Sequence, residues 1–216
     1  MNIEQRATPQ PVKLQTRQSD NRSTLSGYAA VYYNAADPKT EYRLWDDMVE
    51  RIMPGAFDRA LRERQDIRCL FNHDTDNLLG RSVSGTLRLS SDPKGLAYDC
   101  DLPETSAGKD VGVMLARGDL DGSSFSFRPM KSTFREEVRD GKPHYIREIE
   151  DADVYDVGPV TFPAYEASTA GVRAENRQSV TAERDAWLKV RRSVNDEADA
   201  VEVAFRTMQM IEAECV

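Results

Sequence analysis

Histidine is almost missing from this chain: His73 and His144 are the only two among 216 residues, and cysteine is nearly as rare, at Cys69, Cys100 and Cys215. Two distant histidines with no HExxH-type spacing leave only acids as metal ligands, so neither a metal nor a cofactor is expected. Three widely and oddly spaced cysteines provide neither a disulfide framework nor a CxxC pair. Apolar runs are short as well. None approaches the roughly 18 residues that cross a bilayer, and Met1-Asn2-Ile3-Glu4-Gln5-Arg6 has no secretory pattern, so a soluble intracellular protein away from membranes is expected. Positive charge is the last deficit: 29 basic against 37 acidic residues leave a net charge of -8. Binding to a phosphate backbone needs a local Lys/Arg excess, so the partner or substrate expected is protein and not nucleic acid.

What is present suffices for one well-buried domain with appendages. Residues 1–24 are polar, carry Pro9 and Pro11 and follow neither helical nor strand periodicity, which predicts a flexible N-terminal arm. From Leu25 the rhythm is that of antiparallel β: strands over 25–33, 47–52, 67–72, 79–89 and 96–102, the last two joined by the turn Asp92-Pro93-Lys94-Gly95. Two helices interrupt it. One is short and starts at Pro54, with Phe57 and Leu61 four apart. The other runs from Ser106 to Arg117, capped by Thr105 or Ser106 and stopped at Gly118, and delivers the chain to a strand holding Ser124. A hairpin follows, 131–137 with 145–149 around Asp140-Gly141-Lys142-Pro143, and then an extended segment from Val154 to Pro163 whose prolines suit an edge or a bulge. Composition changes after Ala164. A linker over 167–180 and a charged helical tail over 181–216 are predicted, the tail carrying Trp187, Val190, Val194, Val201, Phe205, Met208 and Ile211 as an apolar stripe for packing or dimerisation. The fold class is mainly β with peripheral helices (α+β).

The chemistry centres on Arg117-Gly118-Asp119-Leu120-Asp121-Gly122-Ser123-Ser124-Phe125-Ser126-Phe127, a strand-like run entered through turns, and on Leu70-Phe71-Asn72-His73-Asp74 upstream. A serine hydroxyl attacks well only when a base takes its proton, and neutral histidine suits that role near neutral pH. His144 follows Lys142-Pro143 in a predicted turn and ranks below His73 as the base. A carboxylate commonly orients such a histidine, and Glu148, Glu150, Asp151 and Asp153 offer one on a neighbouring strand. Period-two alternation puts Ser124 and Ser126 on one face and Ser123 on the other, without choosing between the faces. Cys69, four positions before His73, raises a cysteine-hydrolase alternative, but Ile67-Arg68-Cys69-Leu70-Phe71 alternates like a strand in which cysteine is a small hydrophobe.

A broader pattern runs in order through Ser26-Gly27-Tyr28-Ala29-Ala30-Val31, Glu50-Arg51-Ile52-Met53-Pro54-Gly55-Ala56-Phe57, Phe71-Asn72-His73-Asp74, Leu79-Gly80-Arg81, Ser84-Gly85-Thr86-Leu87-Arg88-Leu89, Leu102-Pro103-Glu104-Thr105, Arg117-Gly118-Asp119-Leu120, Gly122-Ser123-Ser124-Phe125-Ser126-Phe127 and Asp156-Val157-Gly158-Pro159-Val160-Thr161-Phe162-Pro163-Ala164-Tyr165. In this order the fragments resemble the prohead maturation proteases of tailed bacteriophages, serine peptidases similar in fold to the herpesvirus assembly protease. The resemblance implies a serine protease domain over 25–166 built as an antiparallel β-barrel. It implies Ser124 as nucleophile in the Gly-x-Ser-Phe-x-Phe pattern, His73 as general base and Asp151 as orienting carboxylate, with Glu150 and Glu148 as alternates. Asp151 stands where the family pattern leads one to expect Glu, and Gly158 stands where serine is more usual.

The resemblance further implies acyl transfer without a cofactor, with the Gly158-Pro159-Val160 bend as a candidate source of oxyanion N–H donors. The implied substrates are scaffold protein and the scaffold-like segment of the major capsid protein, inside the assembling prohead in the host cell. Self-cleavage is expected too, with the linker as a suitable site because flexible backbone is cut most readily. A homo-oligomer through the C-terminal helix is a further expectation. The alternative from a different class is a non-catalytic capsid assembly or scaffold-binding module that docks through that helix.

Overall fold

The computed structural model describes residues 3–8, 11–16, 23–163 and 177–194. In chain order the elements are β1 (Glu4–Thr8), β2 (Lys13–Thr16), β3 (Ser23–Val31), β4 (Tyr42–Trp45), β5 (Met48–Ile52), α1 (Asp58–Arg62), β6 (Arg68–Leu70), β7 (Leu78–Arg81), β8 (Leu87–Ser91), β9 (Gly95–Asp101), α2 (Ser106–Arg117), β10 (Gly122–Arg139) and β11 (Lys142–Val160). A further helix covers 177–194 and belongs to a second compact unit, 174–216, distinct from the unit formed by 1–173. It begins before the predicted residue 181. The remainder of the predicted linker and tail, with Val201, Phe205, Met208, Ile211 and Cys215, lies outside the described residues.

One long hairpin organises the first unit. β10 and β11 pair antiparallel from Gly122↔Val160 to Arg139↔Lys142, and the two residues between them, Asp140 and Gly141, both have positive φ (51° and 73°), as a type I′ turn requires. The sequence reads this hairpin as four separate pieces because its alternation is broken. Register shifts at Ser126/Phe127, Pro129/Lys131 and Lys131/Ser132 absorb Pro129 and reset which side chains face inward.

On its far edge β11 carries β5 along Tyr145 to Ile149 and β6 at Asp156 and Val157, both parallel to it. The resulting seven-stranded sheet runs β1-β10-β11-β5-β4, with β6 and β7 beside the second half of β11, and a separate four-stranded sheet runs β2-β3-β9-β8. The expected antiparallel barrel is therefore corrected to two open sheets, one of them mixed. The larger sheet stays open because its path ends at β1 and β4, which share no ladder among the described residues, while the 19 residues of β11 give β5 and β6 places in line along one edge. One apolar cluster joins the sheets, including Leu25, Leu96 and Cys100 from the four-stranded sheet and Phe125, Phe127 and Val157 from the larger one.

The flexible arm predicted for 1–24 is also corrected, since that stretch holds two paired strands. β2 pairs with β3, and β1 lies along β10 in the register Glu4↔Phe127, Arg6↔Phe125, Thr8↔Ser123. Hydropathy misses β1 because two of its three inward positions are charged and the third is polar. Glu4, Arg6 and Thr8 are buried, and the charges are satisfied by one another and by the larger sheet. The Arg6 guanidinium donates to both Glu50 carboxylate oxygens (2.8 and 3.0 Å) and to Glu4 (2.6 Å), while Arg147 donates to Glu4 (2.9 and 3.0 Å) and Glu50 (2.9 Å). Buried charges are tolerated only when paired in this way.

A second polar clamp fixes α1 against the hairpin. Asp153 accepts from Arg59 (2.7 Å), Gln65 (2.6 Å) and Arg128 (2.5 Å). Burial alone raises the Asp153 pKa, and these three donors outweigh it, holding the carboxyl at about 2, below its ordinary 3.8. A carboxyl whose folded pKa is depressed adds stability that is present above the unfolded pKa and lost as pH falls through the folded one. Thermal melts between pH 5 and about 2 should show a falling Tm, and Asp153→Asn should be less stable at pH 5 and lose less on acidification.

Candidate active site

The Ser-Phe-Ser-Phe run works as a two-faced strand. Phe125 and Phe127 are fully buried with ring centroids 5.0 Å apart, and Phe57 meets Phe125 edge-on at 5.8 Å. Ser123 shares that face, its hydroxyl 2.7 Å from the Tyr98 hydroxyl and donating to the Gly158 carbonyl (3.2 Å). Ser124 and Ser126 therefore stand on the opposite face, positioned by the aromatic anchors between them.

His73 is brought to that face by a tight reversal after β6. Asn72 and His73 have φ of 57° and 58°, the left-handed region that costs a non-glycine residue about 1–3 kcal/mol and that surrounding structure must hold. The restraints come from the end of β11: Asn72 N–H donates to the Pro159 carbonyl (3.1 Å), Thr161 N–H to the Asn72 side-chain oxygen (2.9 Å), and the Asn72 amide to the Thr161 hydroxyl (3.0 Å). Gly158 permits the close approach, because a Cβ there would lie 2.0 Å from the Leu70 carbonyl oxygen. A serine at this position has no room in this chain. Gly158→Ala should push β6 and the His73 turn outward and lower kcat by at least about 100-fold, the scale on which a displacement of about 1 Å acts, as steady-state kinetics on any cleaved peptide would measure.

The resulting contacts form one line. His73 Nε2 lies 2.6 Å from Ser124 Oγ, and Nδ1 lies 2.5 Å from Asp156 Oδ1 and 3.1 Å from Ser126 Oγ. An ionised carboxylate only accepts, so Asp156 fixes the Nδ1–H tautomer and leaves Nε2 free to accept the Ser124 proton. Ser124 is buried, whereas the His73 and Asp156 side chains retain 13% and 11% exposure, so the imidazole edge meets solvent. The single Ser124 proton has a competing acceptor, the Arg6 carbonyl oxygen at 2.8 Å.

The structure brings His73 and Ser124 together and corrects the third position. Asp151 accepts from Arg59 (2.8 and 3.1 Å) and sits five residues from Asp156 along β11, roughly 16 Å at strand rise. Glu150 is engaged by Thr133 (3.0 Å) and Lys131, and Glu148 by Arg135 (2.6 Å) and Arg51 (3.6 Å). Asp156 stands opposite Ser126, one same-face step from the Ser124↔Gly158 pair. That parity was the available signal: Asp156 lies two residues, one same-face step, before Gly158, the position on β11 that faces Ser124. The Gly158-Pro159-Val160 stretch is the paired end of β11 and not a free bend, with Pro159 lacking an N–H.

Cys69 is fully buried, and burial pushes its thiol pKa well up, with Cys100 beside it adding to the rise. A thiol held protonated is a poor nucleophile. His144 pairs with Glu137 thirteen positions along β10 from Ser124, roughly 40 Å away at strand rise. Among the described residues no group of three or more His, Cys, Asp or Glu is arranged to hold a metal ion, and no helix is long and apolar enough to cross a membrane.

A family model described as Caudovirus prohead serine protease matches residues 10–183. No curated protein matches the chain. Among solved structures, the bacteriophage T4 capsid assembly protease is similar at 10% identity and a TM-score of 0.45, over 75% of this chain and 97% of that one.

Proposed function

The chain belongs to the Caudovirus prohead serine protease family, and from that premise we propose that it is a serine endopeptidase with Ser124 as nucleophile, His73 as general base and Asp156 as the carboxylate that orients His73. Its proposed substrates are scaffold protein and scaffold-like segments of the capsid protein, cut inside the assembling prohead in the host cell, with self-cleavage as part of the same activity. The observation that carries this reading is the unbroken line from Ser124 Oγ through both ring nitrogens of His73 to Asp156 Oδ1.

In this mechanism Ser124 Oγ attacks a peptide carbonyl carbon while Nε2 takes its proton. The carboxylate of Asp156 stabilises the imidazolium that forms, and His73 returns the proton to the leaving amine. Water, deprotonated by the same nitrogen, then releases the acyl group from Ser124. The test is to incubate the purified chain with a scaffold-bearing capsid precursor and follow the products by mass spectrometry. Defined fragments are expected, and an intact precursor after prolonged incubation with folded protein would count against the reading.

A further inference from the structure

We propose that β1 is a substrate strand held in cis, with Arg6–Ala7 as the bond to be cut, and that Glu50 and Arg147 select a basic residue before the scissile bond and an acidic one two residues earlier. This rests on the serine-peptidase reading of Ser124 and names the peptide class it takes.

The first ground is register. Among the described residues β1 is an end strand paired with β10, and it lies antiparallel there with Ala7 opposite Ser124 and Arg6 opposite Phe125. An extended peptide added to a sheet edge is held by backbone hydrogen bonds, and alternate side chains read its sequence. The Arg6 carbonyl oxygen sits 2.8 Å from Ser124 Oγ, and His73 Nε2 is 2.6 Å from Ser124 Oγ. Two surface cavities among the described residues, one lined by Pro11, Tyr28 and Arg88 and the other by Ala60, Gln65 and Leu87, do not include Ser124. Ser124 itself is only 3% exposed, with β1 laid along it at Arg6 and Ala7.

The second ground is side-chain chemistry, which the sheet supplies independently of β1. Glu50 on β5 and Arg147 on β11 pair with each other at 2.9 Å and are both fully buried. With β1 away they would leave a carboxylate and a guanidinium side by side next to the β10 edge. Arg6 fits the first with two hydrogen bonds and stacks over the Phe127 ring at 5.4 Å, and Glu4 fits the second with two more. The outward residues are read lightly: Gln5 donates to Ser126 (3.2 Å) and Ala7 is partly exposed. The selected pattern is acidic, any, basic, then the cut.

Cleavage follows the mechanism above. The bond from Ser124 Oγ to the Arg6 carbonyl carbon forms, the Arg6–Ala7 C–N bond breaks, and His73 hands the proton to the Ala7 nitrogen. Water then frees a peptide ending in the Arg6 carboxylate. A tethered strand competes at an effective concentration of order millimolar, so peptides in trans gain access as β1 is removed.

The test has two arms, and the second, on peptides added in trans, leaves the buried network of the chain untouched. Intact-mass and N-terminal analysis of the full chain should find a wild-type product beginning at Ala7, absent from Ser124→Ala and from Arg6→Glu. Peptides containing Glu-Gln-Arg-Ala-Thr should be cut after Arg with kcat/KM roughly 100-fold or more above the same peptide with Glu in place of Arg, since an unpaired buried charge is strongly rejected. A wild-type chain that cleaves scaffold-bearing substrate yet keeps its residues 1–6 and prefers no basic residue would overturn the proposal while leaving the peptidase reading in place. A chain that cleaves nothing would overturn both.

Discussion

Ser124→Ala is expected to lower kcat/KM on a scaffold-bearing substrate by about 10⁴- to 10⁶-fold, the range seen when a nucleophile is removed from a Ser-His-carboxylate unit. The fold should survive the change. Ser124 lies between Phe125 and the rest of a buried strand, and alanine keeps the β10 backbone, the aromatic anchors and the ladder to β1 and β11. What is lost is one hydroxyl that bonds His73 and the Arg6 carbonyl, worth about 1 kcal/mol of stability. Near-wild-type melting with processing abolished therefore separates a chemical role from a structural one. The neighbouring Ser123→Ala makes the comparison sharper, because that hydroxyl bonds Tyr98 and the Gly158 carbonyl on the other face and should affect stability more than turnover.

Asp156→Asn is expected to cost about 10⁴-fold in kcat, because an amide facing Nδ1 can donate and so favours the tautomer that blocks Nε2 as a base. Asp151→Asn should leave kcat within a few-fold of wild type and lower stability instead, since Asp151 neutralises Arg59 at the α1 end of the hairpin. Measuring kcat and Tm for both variants decides which carboxylate serves His73. Loss of kcat in Asp151→Asn with Asp156→Asn unaffected would reverse the assignment made from the geometry. Substrate KM should change little in either variant, because neither carboxylate lines the strand-binding edge of β10.

Most of the β elements and both helices of the first unit were legible because each depends on local pattern, whereas the pairing of His73 with Ser124, 51 residues apart, was implied only by the ordered family resemblance. Thr105 capping and Gly118 stopping α2, or Asp92 to Gly95 turning β8 into β9, are short-range effects written in adjacent residues. The third carboxylate was not legible in the same way. Passing over Glu148, Glu150 and Asp151 for Asp156 requires the register of β11 on β10, and three irregularities shift that register between Ser126 and Ser132. The sheets stayed hidden for a related reason: the parallel placements of β5 and β6 on β11 join residues some ninety positions apart. β1 was hidden by its charges, since a strand that buries Glu4 and Arg6 in an ion network looks like a polar arm until Glu50 and Arg147 are seen beside it.

The proposed chemistry turns on one hydroxyl, Ser124 Oγ, activated by His73. The most direct measurement is covalent capture: treat the folded wild-type chain with a fluorophosphonate, digest it and locate the added mass. A single stoichiometric adduct on Ser124, lost in His73→Ala, is expected. An adduct on Ser123 or Ser126, or no adduct on a chain that still cleaves its substrate, would contradict it.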